Sequence, residues 1–430
     1  RIHRVRRSFF DANIQSWLSF IIYPSVSTPN QGLSGIRAIH MDSSTQQEER
    51  NLVTSSGTGP VKGHRQIDAL QSLRGIAAFI VLMRHLISCF PPSQRFLPHP
   101  MEDVLFNSHA AVVIFFVLSG FVLTPSFFAR PLGMLKAGQF YIRRGFRILP
   151  LLIVVTLLSL AYVRSPLSAV TIPGAGAWFE GLMPHGLSLS PSGLMMCLLS
   201  LKSTLVPQNW TLMIELLVAI IFPWLVKICD RGITASACLL GVFILISFLG
   251  AGHGGKSLPF IYAVDFIFGI VTFDILRRTG LRLNGWLFIA AALALICARQ
   301  IVSFFLPSAL DFHAPLTALV EAVCAACVIW GLAAPGRAAR WLSWRPLVWL
   351  GDISFGVYLL HFLVIVVVAR LEAPLLAPLS NDARFLVVGA PSVAVTFTVA
   401  HILHRTIELP FNALGRSVSQ IRPSRVRVGL

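Results

Sequence analysis

The chain has 430 residues, of which 55% are hydrophobic and 12% charged, and its formal net charge at pH 7 is +17. A mean hydropathy of +0.74 and repeated apolar runs of bilayer-spanning length exclude a soluble globular protein. Lys and Arg cluster in short segments between these runs, a pattern typical of membrane topology, so we expect no nucleic-acid partner. The sequence predicts an all-α fold, a polytopic membrane bundle of about ten transmembrane helices.

The first 66 residues differ from the rest of the chain. A short apolar stretch, WLSFIIY, follows a basic start, but Asp11 and Asn13 precede it and no cleavage site of a signal peptide is evident. Residues 42–63 are rich in Ser, Thr, Gln, Gly and Pro, a composition that predicts disorder. Because the chain begins with Arg and Met41 opens this polar stretch, we interpret residues 1–40 as an over-extended gene start. The predicted domains are an N-terminal extension, a membrane domain and a basic cytoplasmic tail, at 1–66, 67–410 and 411–430.

Ten apolar segments follow, and their flanking charges predict an orientation. If the segments cross the membrane in turn, 21 flanking Lys and Arg residues lie on the side of the N-terminal tail and 7 on the other side. The positive-inside rule then predicts that both termini of this multi-pass protein are cytoplasmic. The predicted segments are about 75–90, 108–124, 148–163, 209–228, 233–250, 258–276, 284–304, 314–333, 347–369 and 385–403.

The first apolar helix carries Arg74 and His85. Charged side chains in membrane helices usually face a bundle interior or a water-filled cavity. Eleven residues correspond to about three helical turns, so the two side chains share one face and lie roughly 16 Å apart along the axis. The alternative is that Arg74 only extends its charged group to the membrane surface and that His85 is a core histidine with its hydrogen bonds made inside the protein. The shared face favours a site with the cation at the membrane edge and the imidazole near mid-membrane.

The second and third segments carry further polar groups. In FFVLSGF, Ser119 and its neighbouring glycine are small residues that favour helix packing, and no base adjacent in sequence supports a nucleophilic serine. YIRRGFRILP carries Arg143, Arg144 and Arg147, which are either an ordinary positive-inside anchor or a phosphate clamp. A nucleotide-bearing substrate that arrives from the cytoplasm would need such a clamp.

Two later segments carry acid and base groups. NWTLMIE contains Trp210, which alone is typical of an aromatic belt, and Glu215, which at that depth must be paired, protonated or exposed to water. The ninth segment contains His361 in SFGVYLLH. Asp265 and Glu321 are predicted at a similar depth. We expect one polar chamber in the middle-to-outer membrane to hold the two histidines and three acidic residues, His85, His361, Glu215, Asp265 and Glu321.

These stretches together resemble the membrane-bound acyltransferase-3 family of bacterial O-acyltransferases that modify surface glycans. The resemblance covers roughly residues 68–410, and its most specific part is LRGIAAFIVLMRH, an Arg–ten residues–His pattern at Arg74 and His85. FFVLSGF, RRGFRILP, NWTLMIE and SFGVYLLH match further family blocks in order. The chain departs from the family pattern at Arg84, where an uncharged residue is expected, at Thr211, where Ser is commoner, and at Phe355, which replaces Tyr.

The resemblance implies transfer of an acyl group, most often acetyl, from cytoplasmic acyl-CoA to a carbohydrate hydroxyl on the extracytoplasmic side. His85 is then the general base, with a covalent acyl-histidine as a variant. Arg74 and the three arginines at 143, 144 and 147 would hold the CoA phosphates. Glu215 would orient His85 or bind the acceptor, and Trp210 would stack on a sugar, with Ser119 and His361 in supporting roles. Acyl-CoA is expected as a substrate, with no tightly bound cofactor and no metal.

Several alternatives stay open at this stage. A secondary transporter or glycan exporter also has about ten helices and buried charges, although no repeat relates the two halves of the chain. The external stretch 164–208, which contains Trp178 and His185, is either the specificity element or an unstructured loop. O-antigen, exopolysaccharide and lipid-linked sugars all remain possible acceptors, and acetyl is not distinguished from longer acyl groups. Cys324 and Cys327 form a CxxC without a second ligand pair, so we interpret them as packing residues.

Overall fold

The architecture is described by a computed structural model over residues 62–90, 99–128, 133–182, 185–251, 258–306 and 313–420. The predictions on residues 1–61 and on the end of the basic tail lie outside these ranges. Within them all regular secondary structure is helical. The ten long helices are α1 Lys62–Ile87, α2 Ser108–Leu123, α3 Met134–Val163, α4 Trp210–Asp230, α5 Ile233–Gly250, α6 Leu258–Thr279, α7 Gly285–Phe305, α8 Pro315–Leu332, α9 Ser354–Leu371 and α10 Asn381–Leu403.

Ten segments of the described chain are long and apolar enough to cross a membrane, which confirms the predicted polytopic bundle. Short helices join or flank them at His99–Leu105, Pro125–Phe128, Ala177–Gly181, Pro191–Leu198, Arg337–Leu342, Arg345–Asp352, Ala373–Leu376 and Leu409–Gln420, with 3₁₀ turns at Pro166–Ala169 and Pro207–Asn209. A π turn, His404–Glu408, joins α10 to the last helix. The predicted boundary at residue 410 therefore falls inside a continuous helical segment.

Two helices begin earlier than their apolar runs. α1 starts at Lys62, and His85 lies in its last turn, so the imidazole lies closer to the end of the helix than the predicted segment 75–90 indicates. α3 is 30 residues long and starts at Met134 instead of residue 148. Apolar runs mark where a helix can meet lipid, whereas backbone hydrogen bonding continues through the basic residues beside them. Arg74 consequently lies within the helix, and the imidazole lies at its end.

Small residues allow the helices around α1 and α2 to pack closely. A Cβ atom at Gly75 would lie 2.6 Å from the backbone nitrogen of Gly351, so only glycine allows α1 to approach the short helix before α9. On the other side of the bundle, a Cβ atom at Gly269 of α6 would lie 2.8 Å from Cα of Gly120 in α2. Backbone contact of this kind is typical of membrane bundles, in which van der Waals packing replaces the hydrophobic effect between helices.

Helices α5 and α7 lie at the periphery of the bundle. Large apolar side chains on both are exposed, among them Leu249 on α5 and Trp286 on α7. An apolar surface of this extent would promote aggregation in water and is the normal surface of a helix that faces lipid. The buried charged residues of the described chain lie outside these two helices.

We predict that Gly269→Ala destabilises the bundle and that Gly241→Ala, in α5, does not. A Cβ atom at residue 269 would overlap the backbone of α2, and overpacking costs typically about 1–3 kcal/mol, whereas a Cβ atom at residue 241 meets nothing within 4 Å. Thermal unfolding in detergent should show a lower midpoint for the first variant and an unchanged or higher midpoint for the second. Equal midpoints for the two variants would contradict the close packing of α2 and α6.

Candidate active site

The two histidines that the sequence singles out lie in direct contact. Nε2 of His361 lies 3.0 Å from Nδ1 of His85, and the ring centroids are 5.0 Å apart. His361 is fully buried in α9, whereas His85 is only partly buried. The structure thus joins two residues that are 276 positions apart in the chain, in a pair with one protected and one accessible ring.

The hydrogen bonds of His361 define which ring nitrogens carry protons. Its Nδ1 lies 2.8 Å from the carbonyl oxygen of Tyr358 and 3.2 Å from that of Val357. Carbonyl oxygens only accept, so Nδ1 of His361 carries the proton and Nε2 of the neutral ring is an acceptor. His85 therefore donates from Nδ1 to His361. This leaves Nε2 of His85 unprotonated, and it accepts no hydrogen bond from any residue of the described ranges.

A polar scaffold from the start of α4 fixes the turn of α9 that contains His361. Gln208 donates from Nε2 to the carbonyl oxygens of Tyr358, at 3.2 Å, and Leu359, at 2.7 Å. The hydroxyl groups of Thr211 and Tyr358 lie 2.9 Å apart. Thr211 supplies the same hydroxyl as the serine that is commoner at this position, which accounts for that departure. Neither Gln208 nor Tyr358 was singled out from the sequence, because their partners lie on another helix.

The segment between α3 and α4 folds over the histidine pair. Trp178, in the short helix Ala177–Gly181, lies nearly parallel to His85, with ring centroids 6.4 Å apart and an interplanar angle of 9°. Phe362 contacts the same imidazole edge-on. The reading of 164–208 as an unstructured loop is therefore wrong for its described residues.

Burial raises the pKa of the nearby Cys89 thiol, so this side chain stays neutral and is a poor nucleophile.

Arg74 lies on α1 about 16 Å from His85 along the helix axis. Its guanidinium donates to Oγ of Ser354 at 3.2 Å and to Oε1 of Gln71 at 3.4 Å. Gln71 also donates to Asp352 at 3.1 Å. Because α1 contacts α9 through Arg74 and Ser354 and again through the histidines, the two helices run parallel, and each polar contact fixes one end of their interface.

The three arginines of α3 have different surroundings. Arg143 donates from Nε to Oγ of Ser419, at 2.8 Å, and so fastens the last helix to α3. Arg144 is buried and forms an ion pair with Glu215. Arg147 is exposed, interacts electrostatically with Arg74 and forms no ion pair with any residue of the described ranges. The three arginines were predicted to act together as a phosphate clamp. In the structure Arg147 is accessible, whereas the other two contact side chains of the protein.

Glu215 does not contact His85 through the hydrogen bond that the sequence suggested. Its carboxylate accepts from Arg144, and the partner of His85 is His361. Arg84, the charged departure beside the histidine, pairs with Asp103 at 2.7 Å, so its charge is compensated. The orienting group of the imidazole is consequently a second imidazole and not a carboxylate.

A second polar network lies between α2, α6 and α8. His109 pairs with Glu321, and its other ring nitrogen lies 2.8 Å from the Tyr262 hydroxyl. Trp210 packs on Tyr262, with centroids 5.5 Å apart, and not on His85. Asp265 is buried and interacts electrostatically with Glu321. Asp265 and Glu321, which the sequence predicts in one chamber with His85, therefore belong to this second network, and Trp210 packs on it.

Ser119 lies one turn beyond Phe115, whose ring contacts Tyr358 at a centroid distance of 5.4 Å. Its neighbour Gly120 packs against the backbone of Phe266 in α6. This position agrees with the interpretation of Ser119 as part of a packing motif.

The site thus combines two chemical abilities at the two ends of α1. A partly buried imidazole with an unprotonated nitrogen can take a proton from a hydroxyl group. Arg74 of α1 and Arg147 of α3 form no carboxylate ion pair within the described ranges and can bind an anion such as a phosphate. The separation of the imidazole from these arginines suits a substrate that is charged at one end and reactive at the other.

Comparisons with known proteins agree on one family. The acyltransferase-3 family model, described as an acyltransferase domain, matches residues 67–403. Acyltransferase MdmB of Streptomyces mycarofaciens is 28% identical over 387 residues, which are 82% of this chain and 93% of that protein. Nodulation protein 10 of Rhizobium leguminosarum bv. viciae is 26% identical over 296 residues, which are 61% of this chain and 73% of that protein. No solved structure gives a significant match.

We predict that Glu215→Gln destabilises the protein because it leaves the buried Arg144 guanidinium without a counter-charge. Removal of one partner of a fully buried ion pair typically costs roughly 3–5 kcal/mol, and the expected cost here is lower because the Glu215 side chain is 24% exposed. Asp230→Asn is the matched control, since Asp230 pairs with Arg277 at 3.2 Å but is 54% exposed, and exposed pairs contribute about 1 kcal/mol or less. Thermal unfolding in detergent measures both variants, and a larger effect at Asp230 would contradict the structural role of Glu215.

Proposed function

Because the chain belongs to the acyltransferase-3 family, we propose that this membrane acyltransferase moves an acyl group, acetyl in the simplest case, from acyl-CoA to a carbohydrate hydroxyl, with His85 as the general base. The observation that supports this assignment most directly is the hydrogen bond from Nδ1 of His85 to His361. It leaves Nε2, the other ring nitrogen, ready to accept a proton.

The proposed reaction is a single displacement at the thioester carbonyl. Nε2 of His85 takes the proton of the acceptor hydroxyl while that oxygen attacks the carbonyl carbon, and the carbon–sulfur bond then breaks. The CoA thiolate leaves and takes up the proton from the imidazolium, so the products are an ester and free CoA. His361 keeps the imidazole of His85 in one tautomer and orientation and accepts its Nδ1–H bond throughout, a positioning role like that of the acid in a catalytic triad.

The donor is proposed to bind at the end of the site that carries Arg74. Arg74 and Arg147 lie at this end without a carboxylate ion pair in the described chain, and Arg147 is exposed, so they are the proposed phosphate contacts. A pantetheine arm is comparable in length to the roughly 16 Å that separates Arg74 from His85 along α1. With the orientation that the basic residues predict, CoA enters from the cytoplasm across an inner membrane and the acceptor meets His85 on the outer side.

The direct test of this function is the release of free CoA by purified protein in detergent or lipid nanodiscs. With acetyl-CoA and a carbohydrate acceptor, the wild-type protein should release CoA in step with ester formation. A protein that moves solute across a vesicle membrane, but neither binds acyl-CoA nor releases CoA, would instead be a transporter, and the proposal would be wrong.

We predict that His85→Ala abolishes acyl transfer, while His361→Leu lowers kcat strongly and leaves the KM for acyl-CoA nearly unchanged. The first variant lacks the base, and the second lacks only the acceptor that orients it. Loss of an acid–base group costs typically about 10²–10⁴-fold in rate. His361→Gln, which retains a hydrogen-bond acceptor, should recover part of kcat. If His85→Ala keeps near-normal transfer, the base has been assigned to the wrong residue.

We predict that Arg74→Ala and Arg147→Ala each raise the KM for acyl-CoA, because a phosphate contact is present in both the ground state and the transition state. Arg74→Lys should recover only part of the affinity, since an ammonium group keeps the charge but loses the bidentate fork. Arg340→Ala removes an exposed arginine of the short helix Arg337–Leu342, which the proposed donor site does not use, and is the matched control. Steady-state kinetics over a range of acyl-CoA concentrations measure the effect, and a KM unaffected at both positions 74 and 147 would exclude the proposed donor site.

A further inference from the structure

Two adjacent aromatic residues beside the histidine pair are placed in opposite ways. Phe179 is 1% exposed, and its ring packs against Phe362 of α9 at a centroid distance of 5.2 Å. Trp178 is 58% exposed, yet it lies nearly parallel to the imidazole of His85. Exposure of so large an apolar ring is unfavourable in water, so the open face of Trp178 suits a ligand better than solvent.

The backbone that carries Trp178 is fixed from several sides. The amide of Gly176 donates to the carbonyl of Cys89 at 3.0 Å, just beyond the end of α1. The carboxylate of Glu180 accepts from the amide of Ile172 at 2.8 Å. At the start of the segment, Arg370 of α9 donates to the carbonyl oxygen of Ser168. The indole is therefore attached to the two helices that carry His85 and His361, and its position relative to the base is set by the fold.

We propose that Trp178 is the acceptor-binding platform of the enzyme and that the group it binds is a pyranose ring. A pyranose presents one face of C–H bonds, which can cover an aromatic ring, and hydroxyl groups around its edge. Because the imidazole of His85 lies nearly parallel to the indole, a pyranose that shared the same indole face would lie beside the imidazole and present an edge hydroxyl to Nε2 of His85. This inference rests on the proposed function and replaces the predicted stacking residue Trp210, whose ring contacts Tyr262 and His313.

A belt anchor is the competing explanation for an exposed tryptophan near a membrane surface. A belt residue holds a helix at the interface, so its loss lowers membrane insertion or stability whatever the acceptor. A platform residue acts on the choice of acceptor, so its loss changes the preference for ring-shaped substrates. The two roles therefore differ in a ratio of specificity constants, which is independent of the amount of folded enzyme.

The experiment compares two acceptors in the same full-length enzyme with acetyl-CoA as donor. Methyl α-D-gluco-, galacto- and mannopyranoside provide the ring, and glycerol provides hydroxyl groups without a ring. For Trp178→Ala we expect the ratio of kcat/KM for the best pyranoside to that for glycerol to fall roughly tenfold or more, the size typical of truncating a central aromatic anchor. Trp178→Phe, which keeps an aromatic face, should retain most of the ratio. Trp341→Ala, at another exposed tryptophan, should retain all of it.

A ratio in Trp178→Ala equal to that of the wild type would overturn the platform, and so would a wild-type enzyme that prefers glycerol. Failure of the proposed function is a separate outcome, in which the wild-type protein releases no CoA with any of these acceptors. Tryptophan fluorescence then tests the platform alone. Quenching by the methyl pyranosides that is present in the wild type and lost in Trp178→Phe supports a pyranose site, and equal quenching in both proteins excludes it.

Discussion

The hydrogen bond between Nε2 of His361 and Nδ1 of His85 determines the chemistry of the site, because it leaves one imidazole nitrogen free. This bond requires α1 and α9 to run side by side in register. The close approach at Gly75 and Gly351 and the contact from Arg74 to Ser354 hold the opposite end of the interface. A single helix pair therefore places the proposed base and the proposed donor contact at a fixed separation. Residues outside this helix pair stabilise it further. Gln208, for example, donates a hydrogen bond to the backbone of the turn that contains His361.

The distribution of charge around α1 separates structural from accessible arginines. Buried charges in a membrane bundle need partners, and Arg144 has Glu215 while Arg84 has Asp103. Arg147 is exposed and Arg74 is only partly buried, so both can remain without a carboxylate ion pair at low cost and still bind an anion. Exposure and pairing, more than sequence spacing, decide which arginines are available to a substrate.

The sequence predicted much of the fold, because apolar runs of bilayer length leave few alternatives to a helical bundle. It also placed Arg74 and His85 on one helix face, since that inference needs only helical geometry. The partner of His85 was missed because no local pattern reports a contact between α1 and α9, and Glu215 was assigned to it when its partner is Arg144. The starts of α1 and α3 were misjudged for a different reason, since an apolar run marks contact with lipid and not the length of a helix. Trp178 was noted in the external stretch, but only the folded segment places it beside the base.

The proposed role of Nε2 of His85 is to accept a proton during transfer of an acyl group to a glycan. Mass spectrometry of surface glycans tests this role most directly, in a deletion strain that carries either the wild-type gene or the His85→Ala variant at equal membrane levels. We expect an added acyl mass on a carbohydrate with the wild type and none with the variant. An identical acyl mass in both strains, or no acyl difference between the deletion strain and the wild-type complement, would contradict it.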